Sequence, residues 1–581
     1  MLQAILKNEG YKLTQSAALS PNTLFQESCE EAHTARRDWA SFALLLYSRD
    51  DTFLTVSDAA AFTPREGCVW VRAAVSCPGL GKADLQVVEM ADDDDGTHKA
   101  DIILDGDSFL LPGKRAHQLR LSVDVPEATK PCAYEGTLRF FERALFGDET
   151  EALALPFRVI VHDVLMPAVR EREFHLDLWQ HVGNIARKHE VRLFSDAHFH
   201  ILEAYADSLA ALGQKAVTVV VSEAPWSGQR CFIDREYVSN LFEYSMVRVT
   251  KRNDRFDYDY SALERYVELC FARGIDREIE VFGLVNIWMD ESKGWGKASP
   301  QWPDGVRIRY FDEVKGCYGY MRSYDEIAGY ITALQEFLEH KGWLERTLVV
   351  ADEPSDIKAY RRSLNAVRQA APKFRFKTAI NHAEFISEFR DVISDFVPVL
   401  PAVSGEWDVL ERLRGTIAGR LLYYVCCWPP RPNTFIRSPL AESRLIPLLA
   451  AWLGLDGFLR WNYTVWPEDP RSRIVYRLGE WPAGDTCFVY PSRGGAPLLS
   501  LRYFALKRGI EDFELARMVS RLPGGEAVLR RVWAGLIRRA DIRDWEYGED
   551  VNPDLLYSIS WADYDDARLI LLKALEDGHH M

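Results

Sequence analysis

The sequence predicts a multidomain protein: an N-terminal β-sandwich, a (β/α)8 barrel of the TIM type, and a helical C-terminal extension. The chain of 581 residues is too long to fold around one ordinary hydrophobic core, so two or three domains are expected. Short strand-like runs fill residues 40–165, whereas strand, loop and helix patterns alternate from residue 167 onward. We therefore predict domains at residues 1–166, 167–520 and 521–581.

The N-terminal domain is predicted from short apolar or alternating runs that are separated by turn residues. No helical periodicity lies between these runs, and such a pattern is typical of an antiparallel sandwich. The strand candidates are residues 68–75, 85–90, 119–125, 136–141 and 157–161.

The central domain is predicted from strand candidates that alternate with helical patterns, an order that gives parallel strands. The eight strand candidates are residues 174–179, 216–222, 279–288, 347–351, 376–380, 396–400, 421–428 and 457–466. The intervening helical patterns are residues 195–212, 261–273, 324–341, 357–371, 407–418 and 439–453. Further helices at residues 501–518, 524–539 and 562–575 are expected to pack on the flank of the barrel.

Composition and charge narrow the function classes. A net charge of -16 argues against nucleic acid or an anionic membrane as the main partner. No apolar run is long enough for membrane insertion, and the first residues lack a signal-peptide pattern. We expect a cytoplasmic protein, or a secreted one if a signal was removed. The aromatic content of 12% suits sugar-stacking surfaces as well as a core.

The acidic pair Asp352-Glu353 is the leading candidate for catalysis. It ends the fourth barrel strand candidate, and Pro354 marks the end of that strand. Neighbouring side chains on a strand point to opposite faces, so both acids reach one substrate only where the strand stops. Glycosidases commonly use two carboxyl groups. The alternative is structural, with Asp352 or Asp356 capping the following helix.

The seventh strand candidate, residues 421–428, ends without an acid, so the nucleophile of a common two-glutamate retaining barrel is missing there. A 2-acetamido group on the substrate could supply the nucleophile and form an oxazolinium ion. Asp352 would then stabilise the acetamide, and Glu353 would act as general acid and base. An inverting enzyme would instead need a distant base, for which Glu406 and Asp408 are candidates. A non-catalytic carbohydrate-binding protein is the third alternative.

Other strand ends offer groups that could bind a sugar. Asn381 and His382 follow the fifth strand and could bind sugar hydroxyls; the alternative is that they only cap a turn. Tyr424 could donate a hydrogen bond to an acetamide oxygen, although Tyr423 alternates with it and either could face inward. The tryptophans at strand ends could wall a sugar subsite or simply pack in the core; they are Trp179, Trp226, Trp288, Trp428, Trp461 and Trp466.

No cofactor or metal is expected. His198 and His200 lie on different sides of a predicted helix and lack a following carboxylate ligand, so we interpret them as surface or capping residues. Phosphate-binding loops and serine-hydrolase motifs are absent from the sequence.

An ordered set of segments across residues 174–520 resembles the DUF4091 family and, within it, glycoside hydrolase family 123. The matching segments are residues 176–179, 213–214, 224–226, 257–260, 352–353, 433–436, 457–462, 481–485, 490–491 and 509–512. The resemblance implies a sandwich-plus-barrel retaining β-N-acetylgalactosaminidase that acts on terminal β-linked GalNAc, for instance in glycosphingolipid glycans. It implies Asp352 as the oxazolinium-stabilising acid and Glu353 as the general acid/base. Its segment 457–462 also supplies Asn462 as a substrate-binding candidate.

Overall fold

A computed structural model describes residues 2–15, 21–57, 68–143, 147–226, 233–234, 237–238, 243–288, 296–461, 463–466 and 481–579. The N-terminal region contains the strands β1 (Gln3–Asn8), β2 (Thr14–Gln15), β3 (Glu31–Arg36), β4 (Asp38–Tyr47), β5 (Thr52–Thr55), β6 (Val69–Ser76), β7 (Ala83–Asp92), β8 (His98–Ile103), β9 (Ser108–Leu111), β10 (Ala116–Val125), β11 (Ala133–Arg143) and β12 (Glu149–Leu165), with the short helix α1 (Pro21–Leu24).

These strands form two six-stranded sheets, in the orders β1-β4-β10-β7-β8-β2 and β3-β12-β11-β6-β5-β9. Alternate residues of the strands face one shared core; Leu119, Leu121 and Val123 of β10 are examples. The prediction of a β-rich N-terminal region is therefore confirmed. The prediction of purely antiparallel pairing is wrong for two pairs, since β3 runs parallel to β12 and β5 parallel to β6.

The rest of the chain alternates strands and helices. Its elements are β13 (His175–Leu178), α2 (Val182–Lys188), α3 (Asp196–Leu212), β14 (Ala216–Val220), β15 (Ile233–Asp234), β16 (Tyr237–Val238), β17 (Arg248–Arg252), β18 (Arg255–Asp259), α4 (Ser261–Ala272), β19 (Glu278–Phe282), β20 (Arg309–Asp312), β21 (Cys317–Tyr320), α5 (Tyr324–His340), β22 (Thr347–Asp352), α6 (Ile357–Ala370), β23 (Arg375–Ile380), α7 (Glu384–Phe389), β24 (Asp395–Pro398), α8 (Leu400–Gly405), α9 (Trp407–Arg414), β25 (Tyr423–Tyr424), α10 (Leu440–Leu453), β26 (Gly457–Arg460), β27 (Tyr490–Pro491), β28 (Pro497–Leu498), α11 (Leu501–Ser520), α12 (Gly525–Leu536) and α13 (Trp561–His579). Within the ranges given above, no helix is long and apolar enough to cross a bilayer.

Parallel strands of this region lie in two sheets, β14-β19-β22-β23-β24 and β13-β26-β25. Isolated parallel bridges lie between the sheets at Leu176–Gln214, Phe396–Leu421 and Val399–Tyr424. The α/β architecture is thus established, with the carboxyl ends of the parallel strands at a common edge. Two separate sheets do not by themselves amount to the complete (β/α)8 barrel that the sequence predicts, so the closed barrel remains a prediction. The domain limits at residues 166 and 520 also stay predictions.

Several predicted strands are too long at their carboxyl ends. The third was predicted to reach Trp288, but β19 ends at Phe282 because the backbone turns at Gly283, whose φ is 103°. The seventh is only Tyr423–Tyr424, and the eighth ends at Arg460. The residues beyond these ends form the loops that carry the candidate site.

Helix boundaries follow local capping signals closely. Ser323 and Glu326 form a capping box at the start of α5. Ser195 caps α3, which ends at Gly213 in the left-handed conformation. Such signals are local, which is why the sequence places these helices within a residue or two.

Buried ion pairs join the sandwich to the helices behind the parallel strands. Arg502 of α11 donates to Asp101 of β8, and both side chains are fully buried. Arg508 of α11 and Arg568 of α13 both bind Asp38 of β4. Since each charge has a partner, burial of this polar interface is tolerated.

Lys377 of β23 lies in the interior of the α/β region, with no exposed surface. Its ammonium contacts carboxylates of two other strands: Asp177 of β13 at 2.5 Å, and Glu278 and Glu280 of β19 at 2.9 Å each. Burial alone would lower the pKa of Lys377, but the three acids outweigh it and hold the pKa well above its ordinary value. The cluster therefore links the two parallel sheets through one charged group.

Lys377→Met is expected to destabilise the protein by about 3–5 kcal/mol, because Asp177 loses its cation while remaining buried. Thermal unfolding and urea titration measure the change. Lys373→Met is the matched control, since Lys373 pairs with Glu339 on the surface and its removal should cost less than about 1 kcal/mol. Equal effects of the two substitutions would contradict a structural role for the Lys377 cluster.

Candidate active site

Asp352 is the last residue of β22, and Glu353 follows it in a left-handed conformation with φ of 46°. The Glu353 N–H donates to the carbonyl oxygen of Ala379 on the adjacent strand β23 at 3.0 Å. Both carboxyl side chains are half-buried. The turn at Glu353 therefore breaks the strand alternation at the position where the sequence predicts that two neighbouring acids could serve one site.

Tyr424 of β25 lies across from this turn. Its buried hydroxyl donates a hydrogen bond to Glu353 Oε1. Tyr423 faces the opposite way, where its hydroxyl donates to the carbonyl oxygen of Ile446 in α10 at 2.6 Å. The structure thus decides which tyrosine faces the acidic pair, a choice that strand alternation left open.

The contact with Tyr424 affects the protonation of Glu353. Burial raises the pKa of Glu353, while the hydrogen bond from Tyr424 opposes the rise by favouring the carboxylate. Burial and the neighbouring Glu353 hold the pKa of Tyr424 well above its ordinary value, so the tyrosine remains a donor. A carboxyl group with a raised pKa is suited to proton transfer near neutral pH.

The backbone of Asp352 is fixed by the loop that follows β19. Its carbonyl oxygen accepts hydrogen bonds from Asn286 Nδ2 and, at 3.1 Å, from Trp288 Nε1. Asp304 in turn accepts from the N–H groups of Asn286 and Ile287, at 2.6 and 3.0 Å. Asn286 and Asp304 are not predicted from the sequence: Asn286 falls inside the strand predicted to reach residue 288, and Asp304 reaches it only through a tertiary contact.

Three non-glycine residues after the carboxyl ends of parallel strands have positive φ angles, and six further non-glycine residues among those described share this conformation elsewhere. Ala224 follows β14 with φ of 48°, Asn286 follows β19 with φ of 52°, and Glu353 follows β22. This conformation costs L-residues energy and is concentrated at functional sites. Glu353 itself, and the Asn286 that binds the Asp352 backbone, are thus among the strained positions.

The candidate tryptophans differ in exposure. Trp179, Trp226 and Trp461 are buried in one cluster with Tyr424. The rings of Trp179 and Trp226 lie 6.2 Å apart, and each contacts Phe282. Trp288 is half-buried against this cluster, whereas Trp428 is 45% exposed. Of these rings, Trp428 presents the most surface for stacking against a sugar.

A buried polar network supports the loops after β25 and β26. Asn433 donates to the carbonyl oxygens of Cys426 and Pro429, which flank the loop carrying Trp428. Arg460 donates to Asn433 at 3.2 Å and to Asp485 at 2.8 Å. Burial raises the pKa of Asp485 to about 6, against the effect of Arg460.

The remaining predicted residues are dispersed. Asn381 and His382 are exposed after β23. Glu406 is half-buried beside them and accepts from the Ala383 N–H at 3.2 Å. Asp408 pairs instead with Arg543 at 2.9 Å, on the side of the C-terminal extension. Asn462 lies outside the described residues.

His198 was interpreted as a surface or capping residue, and the predicted surface position is wrong. His198 is fully buried, accepts from the Phe194 N–H at 3.0 Å and contacts the Val182 carbonyl at 3.0 Å through its other ring nitrogen. His198 thereby connects α3 to the start of α2, and it gives hydrogen-bond partners to the Phe194 N–H and the Val182 carbonyl, which need them when buried. His200 is exposed, as predicted.

Among the residues that the structure describes, two groups of side chains have the donor types of a metal site. Asp177, Glu278 and Glu280 form one, but Lys377 already supplies their cation. His382, Glu384 and Glu406 form the other, with donor atoms within 4.8 Å of one another.

Comparison with known proteins places the site within a family match. The model of the glycoside hydrolase 123 catalytic domain matches residues 179–519, which include the acidic pair, Tyr424 and the tryptophan cluster. A comparison with curated protein sequences gives no match.

Among solved structures, a family 123 glycoside hydrolase from Clostridium perfringens, studied for glycolipid glycan hydrolysis, has a TM-score of 0.72 at 17% identity. The similarity covers 100% of this chain and 98% of that one, and it shows a shared fold. A cyclic maltosyl-maltose hydrolase from Arthrobacter globiformis covers 60% of this chain and 83% of its own, at 12% identity and a TM-score of 0.31. That similarity is too low to support any inference.

Ala224→Gly is expected to stabilise the protein by about 0.5–1 kcal/mol, because glycine adopts the left-handed conformation without strain. Thermal unfolding measures the effect. The matched control is Ala534→Gly at an exposed position within α12, where glycine should cost about 1 kcal/mol. Destabilisation by both substitutions would show that residue 224 is not strained.

Proposed function

The chain belongs to glycoside hydrolase family 123, and we propose that it is a retaining exo-enzyme that releases terminal β-linked N-acetylgalactosamine with the substrate's own acetamide group as nucleophile. The observation that carries the proposal is the acidic pair at the end of β22, with Tyr424 bonded to Glu353. The complementary observation is that residues 421–428 contain no acid to serve as nucleophile.

In the proposed first step, the acetamide carbonyl oxygen attacks the anomeric carbon while the bond to the leaving oxygen breaks. Protonated Glu353 gives its proton to that oxygen, and Asp352 accepts a hydrogen bond from the acetamide N–H as positive charge develops. In the second step, Glu353 removes a proton from water, which opens the oxazolinium ion. Two inversions at the anomeric carbon return the β-anomer.

The direction in which the pKa of Glu353 is shifted supports this division of roles. The first step needs a neutral acid, and burial raises the pKa of Glu353 in that direction. Tyr424 donates to Glu353 in this structure, so the predicted donation to the acetamide oxygen requires the tyrosine to exchange acceptors when substrate binds. We propose that Tyr424 holds Glu353 in position until that exchange.

The sugar itself is proposed to lie between the strand ends and the exposed face of Trp428, with Asn381 and His382 available to hydroxyl groups. We further propose that the two parallel sheets close into one (β/α)8 barrel, which would place the parallel strand ends around this sugar. A glycolipid glycan is the proposed natural substrate, and the cytoplasmic location stays a prediction.

An inverting glycosidase is the second candidate. Glu406 is half-buried beside His382, and burial together with Glu384 raises the pKa of Glu406. Such a group could activate water, whereas Asp408 is engaged by Arg543. An inverting enzyme would be insensitive to a thiazoline that mimics the oxazolinium ion.

Glu353→Gln is expected to lower hydrolysis of aryl β-GalNAc by about 10²–10⁴-fold, because the acid/base is lost. Asp352→Asn should lower it by about 10²–10³-fold. Kinetics on aryl β-GalNAc and aryl β-GlcNAc, with and without GalNAc-thiazoline, measure these effects. Wild-type turnover that thiazoline does not inhibit, and that Glu406→Gln abolishes, would replace the proposed mechanism with the inverting one.

Tyr424→Phe is expected to shift the basic limb of the pH–rate profile to higher pH. The substitution removes the hydrogen bond that favours ionised Glu353, so the pKa of Glu353 rises and the acid stays protonated further into the alkaline range. Profiles of kcat/KM from pH 4 to 10 measure the shift. Tyr423→Phe is the control, since Tyr423 faces α10, and a shift of the limb to lower pH in Tyr424→Phe would contradict the assignment.

A further inference from the structure

A cavity of about 670 Å³ lies beside the candidate active site and contains neither member of the acidic pair. It opens between the N-terminal part of α3, the start of α4 and the sheet β18-β17-β20-β21. Four arginines line it: Arg192, Arg248, Arg265 and Arg309. The acids in its lining are Glu223 and Asp259.

One short segment separates this cavity from the acidic pair. This segment is residues 223–226. Glu223 lines the cavity, and Trp226 packs in the tryptophan cluster. Between them, the carbonyl oxygen of Pro225 accepts from the N–H of Trp288 at 3.4 Å. Trp288 also donates to Asp352. Residues 223–226 therefore contact both the cavity and the Trp288 that binds the Asp352 backbone.

Two of the arginines are already engaged. Arg309 pairs with Glu223 at 2.6 Å, and Arg265 pairs with the exposed Asp196 at 2.5 Å. Arg192 and Arg248 are exposed, and neither forms a salt bridge within the described residues. Arg248 is near Asp259, whose carboxylate also caps the backbone at Ser261. The cavity thus holds more positive than negative charge, in a protein whose net charge is -16.

The same cavity offers an aromatic surface. Tyr318 of β21 is 66% exposed, and its ring lies 5.2 Å from that of Phe311 and 4.7 Å from the Arg309 guanidinium. Exposed rings beside arginines combine an apolar face for pyranose C–H groups with donors for carboxylate or sulfate oxygens. A neutral sugar needs only the apolar face and not the charged donors.

We propose that this cavity binds an anionic sugar, bearing a carboxylate or a sulfate, in the part of the substrate that leaves on cleavage. Arg192 and Arg248 supply the charge that recognises the anion, and Tyr318 contacts the sugar ring. The proposal rests on the proposed function, because it gives this cavity the sugars beyond the scissile bond. It makes Arg192 and Arg248 specificity-determining residues without a part in bond cleavage.

Binding is tested without hydrolysis, by calorimetric titration of the wild-type protein with 3′-sialyllactose, lactose 3′-sulfate and lactose. The anionic ligands are expected to bind about tenfold or more tightly than lactose, an advantage that should shrink at high salt. The Arg192→Ala/Arg248→Ala double variant should lose this advantage. Arg255→Ala is the matched control, since Arg255 is an exposed arginine of β18 outside the cavity.

A preference for only one of the two anionic ligands would support the proposal and identify the anion. Equal affinity for all three ligands, or an advantage that survives in the double variant, would overturn it. So would an equal loss in Arg255→Ala, which would indicate general electrostatic attraction. Unfolding temperatures confirm that each variant is folded.

A kinetic comparison links the cavity to catalysis. Wild-type kcat/KM is expected to be about tenfold higher for an oligosaccharide with terminal β-GalNAc and an anionic sugar than for its neutral counterpart. The double variant should equalise the two while retaining its rate on aryl β-GalNAc. Anionic binding without any aryl β-GalNAc turnover would reject the proposed function and leave the anion site standing, so the two failures are distinguishable.

Discussion

The buried charge of Lys377 is the constraint on which the α/β region depends. A fully buried ammonium is tolerated only with carboxylate partners, and these come from β13 and β19, while Lys377 lies on β23. Arg420 extends the cluster by binding Asp395 of β24 and Glu278. Burial and the neighbouring Asp177 hold the pKa of Glu280 well above its ordinary value. Strands from both parallel sheets are therefore fixed around one polar interior.

The site at the carboxyl edge follows from this rigidity. At this edge, Ala224, Asn286 and Glu353 follow strand ends in the left-handed conformation, which costs L-residues energy and persists where the surrounding structure fixes it. The turn at Glu353 brings its carboxyl group to Tyr424 of β25, a strand from the other sheet. Support from Asp304 and Asn433 then comes from loops distant in sequence. The acidic pair and the residues that hold it thus lie on one scaffold, which is the arrangement that a preorganised site requires.

Local signals account for what could be predicted. Capping residues and helical periodicity placed α3, α4 and α5 to within about one residue, since hydrogen bonding in helices is local. The pair Asp352-Glu353 was found because a short apolar run ends there in two acids before Pro354. The carboxyl ends of β19 and β26 were misplaced, because apolar residues continue past the point where the backbone leaves the sheet. Trp179 and Trp226 show the same limit, since apolar rings suit a sugar subsite and a core equally, and burial distinguishes them.

The sequence by itself determined the β-rich region followed by the α/β region, the family resemblance, and the acidic pair, since periodicity and short motifs are properties of neighbouring residues. Only the tertiary structure decided that Tyr424 rather than Tyr423 faces Glu353, that Asp352 is held through Asn286 and Trp288, and that His198 is buried. It also decided that four arginines distant in the chain line one cavity beside the site. These facts depend on contacts between residues far apart in sequence, and such contacts are set by packing of the whole fold rather than by local conformational preference.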